Sequence, residues 1–455
     1  MPTDPGTAST PVDNTRPPRI IPRSKHPISR KNIDREALKV LYRLRDAGHL
    51  AYLVGGGVRD LYLGKTPKDF DISTDARPGQ LRKLFKNSRL IGRRFRLVQV
   101  FFHGNKIVEV STFRCRSEFD LNGVASNGAE NILAANNTYG SPCDDAFRRD
   151  LTINGLFYEI ENYTIIDYTD GVKDLEQGLI RFIGEPERRV QRDPARMLRV
   201  IRHAARNNFS IEPRTWQAIT HHKDKLMLCP ISRIRDELMK DLHSVACRAW
   251  AQLAMDSGIF YVLFPFYKPV HDAPESAESR ELLLALQAVV DRLHSKGIKL
   301  PDQLLFSLLL LPWAIAEYDL MNNNFRGPEF QRFLHKIKKR LDDILGPMSI
   351  KRAHKESMAM HIATLPQFIG FTRDNNWPKW LKRKSYYREC DLFSRIFSEA
   401  SGGKKIPEHI IAESIPQITS KARHKPSGKR RYKKRGSPGP AFASKKGGGI
   451  FGLKK

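Results

Sequence analysis

The stretch Leu53–Ser73, LVGGGVRDLYLGKTPKDFDIS, constrains this chain more than any other. An apolar run that reads as a strand enters Gly55-Gly56-Gly57. A short helix, Val58–Leu63, follows, and a second strand, Asp69–Ser73, carries two acids one residue apart. Residues i and i+2 of a strand point to the same face. Asp69 and Asp71 therefore share one face, while Phe70 and Ile72 turn toward a core. Neighbouring carboxylates repel each other unless a cation lies between them. Mg²⁺ takes oxygen ligands and usually bridges phosphates. Backbone without side chains approaches a phosphate closely, which makes Gly55 and Gly56 candidate phosphate contacts. Arg59, in the first turn of the helix, can pair with phosphate oxygens through two N–H groups. A glycine triplet alone is as often a plain turn, and a bare Asp-x-Asp pair is more often a solvated strand end. Their order in one short segment joins them into a single site.

A third acid is available. In Lys106–Thr112 (KIVEVST), Glu109 is the one acid inside an apolar strand. Ile107 and Glu109 share one face, and Val108 and Val110 share the other. A buried acid needs a partner. A strand adjacent to the Asp pair would let Glu109 complete a metal site with Asp69 and Asp71; an edge-strand acid in solvent is the plainer alternative.

Around this segment the pattern reads as an α+β domain with a mixed sheet. A helix is expected over 32–47, strands over Ala51–Val54, Leu97–Phe102, Ile107–Thr112 and Leu156–Ile160, a helix over Gln80–Phe85 and a long polar loop over 115–143. After Ile183 the strand signals vanish. Helices are expected over Arg189–Asn207, Arg233–Val245, Trp250–Met255, Arg280–Lys296, Gln303–Leu311 and Glu329–Leu345. The domain plan is a disordered N-terminal extension (1–31), a head (32–175), a helical neck (176–262), a helical body (263–400) and a flexible basic tail (401–455). The longest apolar run, Leu304–Ile315, is short of the ~20 residues that span a bilayer and reads as a buried helix. The N-terminal 31 residues lack the apolar core of a signal peptide.

The charge balance points to a polyanionic partner. The chain has 78 Lys and Arg against 49 Asp and Glu, a net charge of +29. Such an excess argues against an ordinary small-metabolite enzyme. The tail contributes Lys429, Arg430, Arg431, Lys433, Lys434 and Arg435, candidate contacts to a nucleic-acid backbone, but the body is also basic. Five cysteines without a CxxC pair argue against a disulfide framework or a cysteine zinc site and fit a reduced, cytoplasmic compartment. No HExxH, GxSxG or Walker A pattern occurs.

The segments GGGVRD, DFD, VEVSTFR and RRDLTIN follow one another in an order that resembles the class II nucleotidyltransferase superfamily over roughly residues 50–260. Its members are bacterial poly(A) polymerases and CCA-adding tRNA nucleotidyltransferases. The resemblance implies a nucleotidyltransferase head followed by an all-α neck (176–262) that binds the nucleotide base and RNA, an all-α body (263–400) that binds RNA, and a disordered basic tail. It implies two Mg²⁺ ions held by Asp69, Asp71 and Glu109, ATP as substrate and RNA 3′ ends as acceptor. In Arg148–Asn154, Arg149 would contact triphosphate, Asp150 would position catalytic groups or the sugar, and Asn154 would lie at the nucleotide. An Arg-Asp pair read on its own chemistry is more often a structural ion pair. The next element, RDPARMLRVIRHAAR (Arg192–Arg206), puts Asp193 at an N-cap and Pro194 in a first turn. Arg196, Arg199, Arg202 and Arg206 line one face with no interleaved acid. The family uses this helix to read the base and hold phosphates through Glu-Asp-x-x-Arg; here Asp193 and Arg196 match, Arg199 and Arg202 follow, and Arg192 stands where the Glu would be.

Leu90–Val98 (LIGRRFRLV) resembles the signature of the poly(A) polymerase branch, with Arg93 and Arg94 as RNA contacts. By itself it is a basic turn entering a strand. In Trp377–Arg395, Trp377, Trp380, Tyr386 and Tyr387 are equally open to base stacking and to core packing. The expected activity is template-independent addition of AMP to RNA, with RNA-decay proteins as candidate partners and a monomeric state. A CCA-adding enzyme and a non-catalytic RNA-binding protein on the same scaffold are the competing readings.

Overall fold

The computed structural model describes residues 17–92, 96–115, 139–273, 276–323, 325–374, 377–407 and 411. Eight strands form the head sheet: β1 (Arg19–Ile21), β2 (Ala51–Val54), β3 (Asp71–Thr74), β4 (Ser88–Ile91), β5 (Leu97–Phe102), β6 (Lys106–Thr112), β7 (Leu156–Glu159) and β8 (Ile165–Asp167). Their order is β1-β8-β7-β2-β3-β6-β5-β4. β3 and β6 run parallel, and the other neighbours are antiparallel. The mixed sheet matches the expected class.

Its centre is set by alternation. In β6, Val108, Val110 and Thr112 are buried while Ile107 is exposed and Glu109 half-buried. The faces are therefore those that the period of two predicts. The helix Arg35–Asp46 covers the sheet with Ala37, Val40, Leu41 and Leu44, all fully buried. Asp34 caps it, its carboxylate accepting from the Glu36 and Ala37 amides at 2.9 and 3.4 Å.

Four expectations are corrected. The segment 1–31 is not disordered throughout: Arg19–Ile21 pairs with β8, Ile21 and Ile28 are buried, and His26 Nε2 lies 2.8 Å from the Tyr163 carbonyl. Its Pro-rich composition hid a short strand that only a distant edge can complete. The strand with the acids begins at Asp71, so Asp69 lies just before it and Phe70 is half-buried, not core. Strands do not end at Ile183, because β10 (Ser210–Ile211) pairs in parallel with β9 (Leu179–Ile180). Finally, Arg189–Asn207 is two helices, Pro186–Arg192 and Arg196–Asn207. Pro194 disfavours helical backbone at the residue before it, and Asp193 is accordingly at φ −146°, ψ 85°. Asp193 therefore ends the first helix, and Ala195 occupies the N-cap of the second.

The C-terminal half is helical as expected. The helix Asp302–Tyr318 is buried from Leu304 through Ala314. It continues past Leu311 although Pro312 lies inside it. The Tyr267 hydroxyl donates to the Leu309 carbonyl at 2.6 Å and accepts from the Trp313 amide at 3.2 Å, so the groups beside the proline keep partners. Trp377 and Tyr387 pack edge to face, with Phe368 and Phe371 alongside, and together with Tyr386 they rest half-buried against the core; Trp380 is exposed. Among the described residues no helix is long and apolar enough to cross a membrane. Residues 93–95 and 412–455 lie outside the described residues, and with them Arg93, Arg94 and all six candidate tail cations.

Candidate active site

β2 delivers the chain into Gly55, whose φ of +69° is a left-handed conformation that side chains rarely adopt. A Cβ there would also sit 2.9 Å from Arg149 Nη1, so a side chain would displace that guanidinium. The chain then turns into the helix Gly56–Tyr62 and returns through Asp69 to β3.

The parallel pairing of β3 and β6 places Asp71 directly opposite Glu109. Both lie on the face opposite the buried Ile72, Val108 and Val110. Gln99, across from Glu109 on β5, donates to its Oε1 at 3.0 Å. Asp71 still reaches solvent at the sheet surface. Even so, the protein packed around its carboxyl, then Glu109 and Asp69, push its pKa above the ordinary range, with Arg149 pulling the other way. This crowding of like charge is what a bound cation would relieve. Among the described residues no three carboxylate, imidazole or thiol groups stand close enough to form a ready metal cage. Mg²⁺ is commonly held by one or two carboxylates, with substrate phosphates and water completing its shell. The hard oxygen donors of Asp69, Asp71 and Glu109 fit an ion that arrives with a triphosphate.

Arg149 approaches the same face. Its Nη2 donates to Asp145 Oδ2 at 2.9 Å and lies 3.4 Å from Ser73 Oγ, while its guanidinium covers the Phe157 ring. Asp145 is fully buried and also accepts from Arg148 Nε at 2.8 Å. Against the cost of burial, Arg149 and Arg148 hold the Asp145 carboxyl below its ordinary value. Asp145 is not among the residues expected at the site, although its i, i+4 spacing to Arg149 is a usable signal.

Asp150 belongs to a second, buried cluster. Arg199 Nε lies 2.8 Å from its Oδ2, and the Leu151 amide donates to its Oδ1 at 2.9 Å. Burial opposes ionisation, but Arg199, then His203 and Arg196, hold the carboxyl far below its ordinary range. Asn154 bridges from this cluster to Arg59: its Oδ1 accepts from Arg59 Nη1 at 2.6 Å, and its Nδ2 lies 3.4 Å from Asp150 Oδ1. Arg59 also pairs with Asp60 at 2.7 Å and meets His203 Nδ1 at 3.3 Å. Arg59, Asn154 and Asp150 thus join the glycine turn to the helix Arg196–Asn207.

The arginine ladder on that helix has acids after all, supplied by other elements. Arg202 is buried; its Nε meets Asp241 Oδ1 at 2.5 Å, and it also pairs with Glu237. Arg206 donates to the Lys240 carbonyl at 2.6 Å. Spacing along one helix cannot reveal acids from Ile231–Leu242. Arg196 and Asp193 are different. They approach each other at 3.6 Å, and Arg233 also meets Asp193, at 2.8 Å. Arg196 Nη1 and Asp193 Oδ1 are nevertheless buried without hydrogen-bond partners in the structure.

His203 gives this cluster a pH dependence. Burial first, then the Arg59 guanidinium, push its pKa well below 6.5, with Asp150 pulling upward. A histidine whose folded pKa is lowered contributes stability that is complete above its unfolded pKa and is lost as pH falls toward the folded one. Asp150, also depressed, adds a loss at still lower pH. Urea unfolding should therefore show stability falling as pH drops below about 6.5, and His203→Gln should flatten that part of the curve. An identical pH profile in the variant would exclude His203 as the cause.

Residues 51–181 match the Poly A polymerase head domain family, and residues 208–270 match the family described as "Probable RNA and SrmB- binding site of polymerase A". The chain is 48% identical to Poly(A) polymerase I of Salmonella typhi over 248 residues, covering 54% of this chain and 53% of that protein. It is 39% identical to Poly(A) polymerase I of Haemophilus influenzae over 280 residues, 61% and 62% of the two chains. It is 34% identical to the CCA-adding enzyme of Bacillus subtilis over 278 residues, 60% and 66%. The chain thus spans about half the length of the Salmonella relative it matches. In overall fold it is similar to a CCA-adding enzyme in an apo form, with a TM-score of 0.55 at 18% identity over 82% of each chain.

Proposed function

Because residues 51–181 belong to the poly A polymerase head-domain family, we propose that this chain adds AMP from ATP to RNA 3′ ends without a template, releasing pyrophosphate. The observation that carries the chemistry is the register that sets Asp71 against Glu109, with Asp69 beside them. The 48% identity to a protein named Poly(A) polymerase I, against 34% to a CCA-adding enzyme, supports AMP addition over CCA addition.

In this reading Asp69, Asp71 and Glu109 would hold two Mg²⁺ ions, which would supply Lewis acidity toward the RNA 3′-hydroxyl and positive charge against the triphosphate and leaving pyrophosphate. The rest is positioning and charge stabilisation by the protein. Gly55 leaves room for Arg149 at the glycine turn, where its guanidinium contacts the triphosphate. Asp150 and Asn154 act by holding Arg59 and Arg199 in place. The unmatched Asp193 Oδ1 and Arg196 Nη1 offer one acceptor and one donor to a base edge. A buried donor without an acceptor is costly, and a base would answer both atoms. Adenine and cytosine each present an exocyclic amine beside a ring nitrogen acceptor, so this pair accepts either and rejects the reversed order of guanine and uracil. Selection of ATP over CTP then rests on shape. Arg202 binds the helix Ile231–Leu242 in place of nucleotide. The enzyme is proposed to act as a cytoplasmic monomer, with Arg93, Arg94 and the tail cations on RNA. That no disulfide joins the five cysteines fits that compartment.

The test is a gel of end-labelled RNAs incubated with Mg²⁺ and one nucleotide triphosphate at a time. Long ladders on a generic RNA with ATP are expected. Steps of two or three nucleotides on a tRNA lacking its CCA end, requiring CTP, would move the assignment to CCA addition. RNA binding without extension would identify a non-catalytic scaffold.

A further inference from the structure

A cavity of about 510 Å³ lies between the helices Gly327–Leu345 and Arg352–Asp374. Lys338 and Lys339 line it from the first helix, and Arg352 and Lys355 from the second. Two carboxylates, Asp342 and Glu356, share the lining. Both are already paired: Asp342 with Lys355, and Glu356 with Arg352 at 3.1 Å.

The pairing is selective. Lys338 stands four residues before Asp342 on one helix, yet Asp342 reaches across to Lys355. Among the described residues Lys338 and Lys339 have no acidic partner. Phe333, Leu334, Ile337 and Leu341 are buried on the other side of the same helix, so packing fixes which face it turns outward. Two adjacent cations are thus held on one wall of a concave site whose acids are satisfied elsewhere. A solvated charged face would more commonly pair its lysines with acids one turn away. Here Asp342 pairs across the groove with Lys355, Glu356 pairs along its own helix with Arg352, and both lysines of the facing wall are left open.

We infer that this groove holds the sugar-phosphate backbone of a single RNA strand, with Lys338 and Lys339 on successive phosphates. The inference rests on the reading of RNA as the substrate. Charge complementarity selects the occupant: a polyanion answers two open cations on one wall, and the excess of cations over carboxylates in the lining persists after all the internal pairs are counted. A membrane surface fits less well, because it requires apolar side chains beside the cations. Among the described residues, none of the exposed large hydrophobic side chains lines the groove. The groove lies outside residues 208–270, the segment that matches the RNA-binding family.

Fluorescence anisotropy of a labelled single-stranded RNA, titrated with the full chain at several salt concentrations and without nucleotide, tests this. For single strands each phosphate contact contributes about −0.7 to the slope of log K against log salt. Lys338→Gln with Lys339→Gln should flatten the slope by about 1.4 and weaken binding roughly 10- to 30-fold at 0.1 M salt. Lys338→Arg with Lys339→Arg should keep both values. The glutamine pair lies at the surface, and thermal melting checks that it folds like the parent. An unchanged slope and affinity in the glutamine variant would overturn the groove assignment. So would loss of binding to phosphatidylglycerol vesicles with RNA binding retained, which would make the partner a membrane. Failure of the functional reading is separable: a chain that binds RNA but never extends it fails the gel assay and leaves this result standing.

Discussion

Asp71→Ala is expected to lower AMP incorporation by about 10³-fold or more, the scale of losing a group that stabilises charge in the transition state. RNA affinity should change by less than about twofold, since neutral groups replace an acid that repels RNA. The fold should not suffer. Asp71 is pushed up in pKa by its packing and by Glu109 and Asp69, so removing it removes repulsion, and the melting temperature should hold or rise slightly. This combination distinguishes a site acid from a structural one, whose loss would lower activity and stability together. Single-nucleotide addition followed on a labelled RNA, with a parallel melt, reads both. Extension by the variant at near the parental rate would remove Asp71 from the chemistry. Glu109→Gln, which keeps the Gln99 contact available, should reproduce the loss if the register pair works as a unit.

Arg202→Ala should destabilise the chain by about 3–5 kcal/mol, the usual result of stripping one partner from a buried ion pair. The cost comes from what is left behind. Asp241 is 1% exposed, and Glu237 is held close by the same guanidinium. Burial already pushes Asp241 up to about 6 despite Arg202 beside it, so without the arginine it would be protonated or would draw in water. Urea unfolding measures the loss, and Arg202→Met combined with Asp241→Leu should recover much of it, because both charges leave together. If Arg202 instead held nucleotide, the alanine variant would unfold at the parental midpoint and show a raised KM for ATP. The two outcomes separate a structural arginine from a substrate-binding one on the same helix.

Much of the site was legible before the fold because its signals are local. Alternation in β6 separates Glu109 from Val108 and Val110 within seven residues. The glycine turn, short helix and acid pair are consecutive in the chain. Pro194 was also legible as a break, yet apolar spacing on both sides read as one helix; backbone sterics before proline outweighed the periodicity. Asp69 fell outside β3 because period two says which residues share a face and says nothing of where pairing starts.

What the sequence determined by itself was which residue types face together within one element, since pleat and helical period are properties of a few consecutive residues. It therefore supplied the acids, the glycine turn and the basic faces. Tertiary structure decided who meets whom across elements. The parallel crossover from β3 to β6 brought Glu109 opposite Asp71. A return past residue 160 gave Arg19–Ile21 its strand partner. The packing of Ile231–Leu242 claimed Arg202, leaving Arg196 and Asp193 with unmatched atoms. Those outcomes depend on burial, which makes a charge seek whichever partner the fold brings within reach, however distant it is along the chain.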